Sequence, residues 1–126
     1  MKKILFILMF LLCACNNSSS LKYGTYKMIN SPDNVPIIMT FDKDGRLNVK
    51  IVNIIMGQYT IDGEKIVINP AGSTMMMGPK NEMEAEQKFI QTLIMINSYK
   101  MDGDNLELNV EDGSKLLFAP YEEPEK

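Results

Sequence analysis

From Leu21 onward most of the chain is written in a two-residue period. Leu47, Val49 and Ile51 alternate with Asn48 and Lys50, and Leu106, Leu108 and Val110 alternate with Asn105, Glu107 and Asn109. That alternation predicts strands with one buried and one solvated face. Shorter runs at Leu21–Asn30, Ile37–Phe41, Gly57–Ile61, Lys65–Ile68 and Lys115–Ala119 read the same way, and Ser98–Met101 leads into a turn. Ser31-Pro32-Asp33-Asn34 is a turn cluster, and Asn69-Pro70 is expected to end the fifth strand. Asp44-Gly45, Asp62-Gly63, Asp102-Gly103 and Asp112-Gly113 separate the runs, and this dipeptide favours tight hairpins because both residues tolerate positive φ.

The period changes once, inside Thr74–Asn97. Asn81 followed three residues later by Glu84 predicts an N-cap and its capping-box partner, with Glu82 also in the first turn. Ala85, Phe89 and Leu93, with Ile90 beside them, form one apolar face, and Glu84 and Lys88 fall on the solvent side. One such helix among strands suits a lid on a sheet. The expected fold is mainly β (α+β): a small antiparallel, partly open β-barrel or meander of seven or eight strands with one helix packed on it, which limits exposed strand edges.

The first residues follow neither period. Met1-Lys2-Lys3 is basic, and Ile4–Leu12 is an apolar run of nine residues, well short of the roughly 20 that span a bilayer as a helix. This is the pattern of a signal peptide, and residues 1–14 are set aside from the fold. Leu12-Cys13-Ala14-Cys15 resembles a bacterial lipobox, which makes Cys15 the expected lipidation site and the membrane the first expected partner. Cys13 does not fit, because Leu12 is too bulky for the cleavage position. Asn16–Ser20 is a polar tether of about 12 Å r.m.s. span. Residues 21–119 then form the domain and 120–126 an acidic tail. Asn16 is not the aspartate associated with inner-membrane retention, so the expected location is the cell envelope, lipid-anchored to the outer membrane.

Charge and composition narrow the chemistry. Removing Lys2 and Lys3 with no acidic residue takes the net charge from −3 to −5, and Arg46 is the only arginine. No basic patch exists to neutralise phosphates, so nucleic acid is not an expected partner. With Cys15 acylated no thiol remains for a disulfide. The chain has no histidine, hence no His-based triad and no His-ligated zinc, and no Gly-rich phosphate loop follows a strand. No catalytic residue, metal or cofactor is expected.

Two kinds of cluster hint at metal sites. Met75-Met76-Met77 offers thioethers suited to Cu(I), yet on a strand only Met75 and Met77 would share a face. Methionine fills irregular cores, and that structural reading is preferred. Asp102-Gly103-Asp104-Asn105 and Asp42-Lys43-Asp44-Gly45 lack the glycine and glutamate spacing of a calcium loop and read as hairpin turns.

Several of these residues, in order, resemble the META (HslJ-like) family. Its Gly-Cys-Asn, Gly-x-Tyr pattern is matched by Val52-Asn53 and Gly57-Gln58-Tyr59, and its Thr-x-Met-x-Cys by Thr74-Met75-Met76-Met77-Gly78. Its Glu-x-x-Phe-x-x-x-Leu helix is matched by Glu86, Phe89 and Leu93, and its closing strands by Tyr99, Gly103, Leu106, Leu108, Leu116 and Phe118. Val52 and Gly78 stand where relatives carry cysteines; if those bridge, this chain has lost the whole bridge. The resemblance implies a mostly β domain with one helix, related to stress-linked envelope lipoproteins, and it brings no catalytic mechanism. Asn53 and Tyr59 are candidates for a ligand groove, although Gly57 as a bulge and Tyr59 as a half-buried strand residue explain them as well. The expected function is a non-enzymatic, membrane-anchored lipoprotein that binds another envelope protein or lipid. The alternatives are a carrier of a small hydrophobic ligand inside the barrel, and Cu(I) capture by Met75 and Met77.

Overall fold

A computed structural model describes residues 20–122 of the chain. The signal segment, Cys15 and the tether up to Ser19 lie outside the described residues, as does the tail from residue 123. Eight strands form a closed antiparallel barrel in simple sequence order: β1 (Gly24–Met28), β2 (Ile38–Phe41), β3 (Arg46–Lys50), β4 (Ile54–Asp62), β5 (Lys65–Ser73), β6 (Ile96–Asp102), β7 (Asn105–Val110) and β8 (Lys115–Pro120). One helix, α1 (Lys80–Leu93), joins β5 to β6, and a single 3-10 turn at Pro32–Asn34 joins β1 to β2. The expected barrel with one packed helix is present, and its ring closes through β1 and β8, with Tyr26 opposite Pro120.

The alternation seen in the sequence sets which side chains face inward. β3 buries Leu47 and Val49 and exposes Arg46, Asn48 and Lys50. The interior is filled by Met39, Phe41, Ile66, Leu106, Leu108 and Phe118, each almost wholly removed from water. A barrel of about eight strands is just wide enough for its own side chains to fill it, and here they do. The four Asp-Gly turns also form as expected, with positive φ at Gly45, Gly63, Gly103 and Gly113.

Three expectations are corrected. β5 does not stop at Asn69-Pro70 but runs on to Ser73, paired with β4 throughout. A register shift between Met56 and Gly57 accommodates it, and Gly57 lies opposite Pro70. A Cβ on Gly57 would meet the Asn69 carbonyl oxygen at 2.6 Å, so glycine is what lets the strand pass a proline that donates no hydrogen bond. Asn81 does not cap the helix. Pro79 occupies the cap position with φ −58°, and its carbonyl accepts from the amides of Glu82 and Met83 at 3.1 and 2.9 Å. Proline has its φ preset near the helical value and no amide to leave unpaired, so the helix starts ahead of the asparagine. Third, Met75, Met76 and Met77 do not fill the core but stand exposed.

The barrel closes unevenly. β5 and β6 share one ladder pair, Lys65↔Ser98, with Tyr99 N donating to Glu64 O beside it at 3.0 Å. β5 then continues through residue 73, a further span of about 26 Å at 3.3 Å per residue. α1, about 21 Å long by its 14 residues, packs against β5 and returns the chain to β6. Phe89 and Leu93 enter the core from it. The helix, the 3-10 turn, the 51–53 connection and the 111–114 turn thus gather at one end of the barrel. The turns at 42–45, 62–64 and 103–104, with the start of β1 and end of β8, gather at the other.

Candidate functional site

At the helix end, four of the family-motif residues meet. Glu86 lies on the inward face of α1, three and seven residues before Phe89 and Leu93. Its Oε1 accepts from the amides of Val52 and Asn53 at 3.0 and 2.7 Å, and its Oε2 accepts from Asn53 Nδ2 at 2.8 Å. Asn53 Nδ2 also donates to Met76 O at 3.3 Å. Asn53 Oδ1 accepts from Thr74 Oγ1 at 2.8 Å and from the Met76 amide at 2.5 Å. Thr74 completes the set by pairing with Ile54: its Oγ1 accepts from the Ile54 amide at 3.0 Å and its own amide donates to Ile54 O at 3.2 Å.

Every contact to Glu86 is a donor, which suits an acceptor-only carboxylate. A buried polar group is costly unless so satisfied. Asn53 and Glu86 are 4% and 3% exposed, so the node offers no surface to a ligand. What it does is mechanical: one carboxylate and one amide tie the β3–β4 connection, the strand-to-helix segment and α1 together. Met76 contributes through its backbone, and its side chain stands outside.

The methionine run is therefore the main departure from the core-filling expectation. Met75, Met76 and Met77 are 92%, 54% and 89% exposed. The Asn53 bonds at Met76 hold this segment in place, and Ile54, bonded to the adjacent Thr74, and Met56 of β4 are also exposed. Gly78 follows immediately and faces Val52. An added Cβ there would lie 3.6 Å from the Val52 Cβ and 2.9 Å from its Cγ1. The two positions where the family pattern carries cysteines are direct neighbours.

Gly57 and Tyr59 lie apart from the node. Gly57 is the close-approach residue on β4, opposite the point where β5 carries one extra residue, Ala71. Tyr59 is buried near the opposite end, with its ring edge-on to Phe41 at 5.2 Å and its hydroxyl donating to Asp42 O at 2.5 Å. Burial pushes its hydroxyl pKa up to about 12, with the nearby acidic groups of Tyr23, Asp42 and Asp44 adding to the effect. Tyr26, whose ring is also nearly perpendicular to that of Phe41 with centroids 6.0 Å apart, donates to Lys22 O and is also shifted upward, again first by burial.

Above these rings the barrel mouth holds a cleft of about 450 Å³ lined by Leu21, Tyr23, Lys43, Tyr59, Ile61 and Tyr99 among others. A second groove of about 500 Å³ separates the outer face of α1 from Asp33 in the 3-10 turn. Sequence reasoning missed the mouth, because Tyr23 and Tyr99 sit 76 residues apart and only barrel closure brings them together. It also missed the pairing of Glu86 with Asn53, although the spacing of Glu86 with Phe89 and Leu93 was a usable signal that it faces inward. Among the described residues, no three His, Cys, Asp or Glu side chains cluster to hold a metal ion. Cys15 lies outside the described residues.

A family model described as META domain matches residues 20–123. No curated protein matches the chain. Two solved structures are similar in fold. A DUF4847 family protein from Bacteroides vulgatus superposes with TM-score 0.59 at 18% identity, over 82% of this chain and 96% of that one. A protein from Burkholderia xenovorans, solved by NMR, superposes with TM-score 0.63 at 18% identity, over 79% of this chain and 82% of that one.

Proposed function

This chain belongs to the META domain family, and we propose that it works as a non-enzymatic envelope lipoprotein, anchored through acylated Cys15 to the outer membrane. Its working surface is the Met75–Met77 segment with Ile54 and Met56 beside it, and its partner is another envelope protein, engaged in the response to envelope stress. The observation that carries this reading is the exposure of three consecutive methionines on a backbone fixed by a buried polar node. Methionine is flexible and polarizable and recurs at adaptable binding surfaces, and presenting it from a preordered segment lowers the entropy cost of docking. The lipobox and the short tether support the anchor. The filled interior weighs against a carrier holding an acyl chain inside the barrel.

Two experiments test the reading. In intact cells of the host, a photo-crosslinking residue at Met77 of the full-length protein should give a discrete protein adduct that the same residue at Lys100 does not. Met75→Gln should weaken that adduct. Identical adduct patterns from positions 77 and 100 would remove the methionine surface from the proposal. A palmitate analogue should label the wild type and spare Cys15→Ala, and equal labelling of both would remove the anchor.

A further inference from the structure

We infer that the mouth of the barrel, at the end opposite α1, is a binding site for a neutral saccharide. The inference is independent of the methionine surface and of the anchor. The cleft of about 450 Å³ falls in the size range of small-ligand sites, and barrel mouths are a common place for them.

Its lining has the two kinds of group that a sugar ring needs. Tyr23 is 59% exposed and makes no hydrogen bond or ring contact to protein, so an aromatic face is open to the C–H face of a pyranose. Tyr99 is only 6% exposed, yet its hydroxyl has no protein partner and keeps contact with solvent in the cleft. A buried body with an unpaired polar tip is the arrangement that a hydroxylated ligand completes. Lys43, which also makes no ion pair, supplies ammonium donors from the rim. Gly63 at the rim has nothing within 4 Å of where its Cβ would be, so the approach to the cleft is open there.

Other ligand classes fit less well. An acyl chain would bury the Tyr99 hydroxyl and the Lys43 ammonium without partners, which is unfavourable. A phosphate would need clustered cations, whereas Lys43 stands between the acidic Asp42 and Asp44. The Tyr59 hydroxyl is committed to the Asp42 carbonyl and serves as floor.

Tyrosine emission reports on this cleft directly, because the chain has no tryptophan and three of its five tyrosines line the site. The full chain, purified in a detergent without a sugar headgroup, would be titrated with the β-1,4-linked trisaccharide of N-acetylglucosamine, with maltotriose, with inorganic phosphate and with decanoate. A saturable change with at least one trisaccharide is expected at up to about 10 mM, the weak affinity of a small open site. Tyr23→Ala should weaken it roughly tenfold and Tyr99→Phe several-fold. Tyr99→Phe keeps the ring, so an unchanged unfolding midpoint in that variant would assign its loss of affinity to the hydroxyl. No saturation with either trisaccharide, saccharide binding unaltered in both variants, or saturation by phosphate or decanoate instead would overturn the inference.

Discussion

Replacing Val52 and Gly78 by cysteine together should create a disulfide that stabilises the domain. The ideal Cβ at position 78 lies 3.6 Å from the Val52 Cβ, inside the roughly 3.5–4.5 Å range of disulfides. The closed loop would run from residue 52 to residue 78. Chain entropy alone gives about 3.5 kcal/mol for a loop of roughly 27 residues. For a domain of about 100 residues that corresponds to a rise in Tm of roughly 15 °C, an upper figure because strain in the bridge subtracts from it. The single variant Gly78→Cys behaves oppositely. Its added carbon meets the two Val52 γ-methyls at 2.9 and 3.1 Å, and such overpacking costs about 1–3 kcal/mol. Val52→Cys removes both methyls and makes room. The assay is thermal unfolding of the double variant, oxidised and reduced, with intact mass and thiol counts to establish the bridge. Failure to oxidise, or an oxidised form that melts below the reduced one, would refute the placement of Gly78 against Val52.

Other substitutions probe the node and the barrel. Glu86→Gln places an amide where three donors converge and should cost roughly 2–3 kcal/mol in denaturant unfolding; a neutral result would mean that the node does not hold α1. Gly57→Ala should cost roughly 2 kcal/mol or more, because its Cβ would lie 2.6 Å from the Asn69 carbonyl oxygen, and wild-type stability in that variant would contradict the bulge geometry. Tyr59 has a folded-state pKa above the ordinary value near 10, so its contribution is complete below pH 10 and is lost as pH rises towards 12. Denaturant midpoints should therefore fall over that window, and less steeply in Tyr59→Phe, which also gives up the hydrogen bond to Asp42 O.

Much of the barrel was legible because its determinants are local. Alternation at Leu47–Ile51 and Leu106–Val110, and an Asp-Gly step at each of four turns, specify strands and hairpins without reference to the rest of the chain. The misreadings have non-local causes. Asn69-Pro70 looked like a strand end, and the residue that keeps β5 going is Gly57 on the neighbouring strand. Asn81 carried the right side chain for a cap, but Pro79 had already set the backbone. Met75–Met77 have the composition of a core segment; what keeps them outside is the pull of Asn53 on the Met76 backbone, a partner 23 residues away. The mouth cleft had no signature at all, since its tyrosines come together only when β1, β4 and β6 close into one ring.

The pairing of β1 with β8 also governs how the molecule can be labelled. Tyr26 faces Pro120, and Tyr121 N still bonds to Thr25 O, so the two ends of the described residues, 20 and 122, lie side by side at the mouth. A tag joined directly after residue 122 would emerge at the same end as residue 20 and crowd the cleft. The 111–114 turn, exposed and at the far end, is the better place for an epitope, and a reporter inserted there would leave the mouth unobstructed.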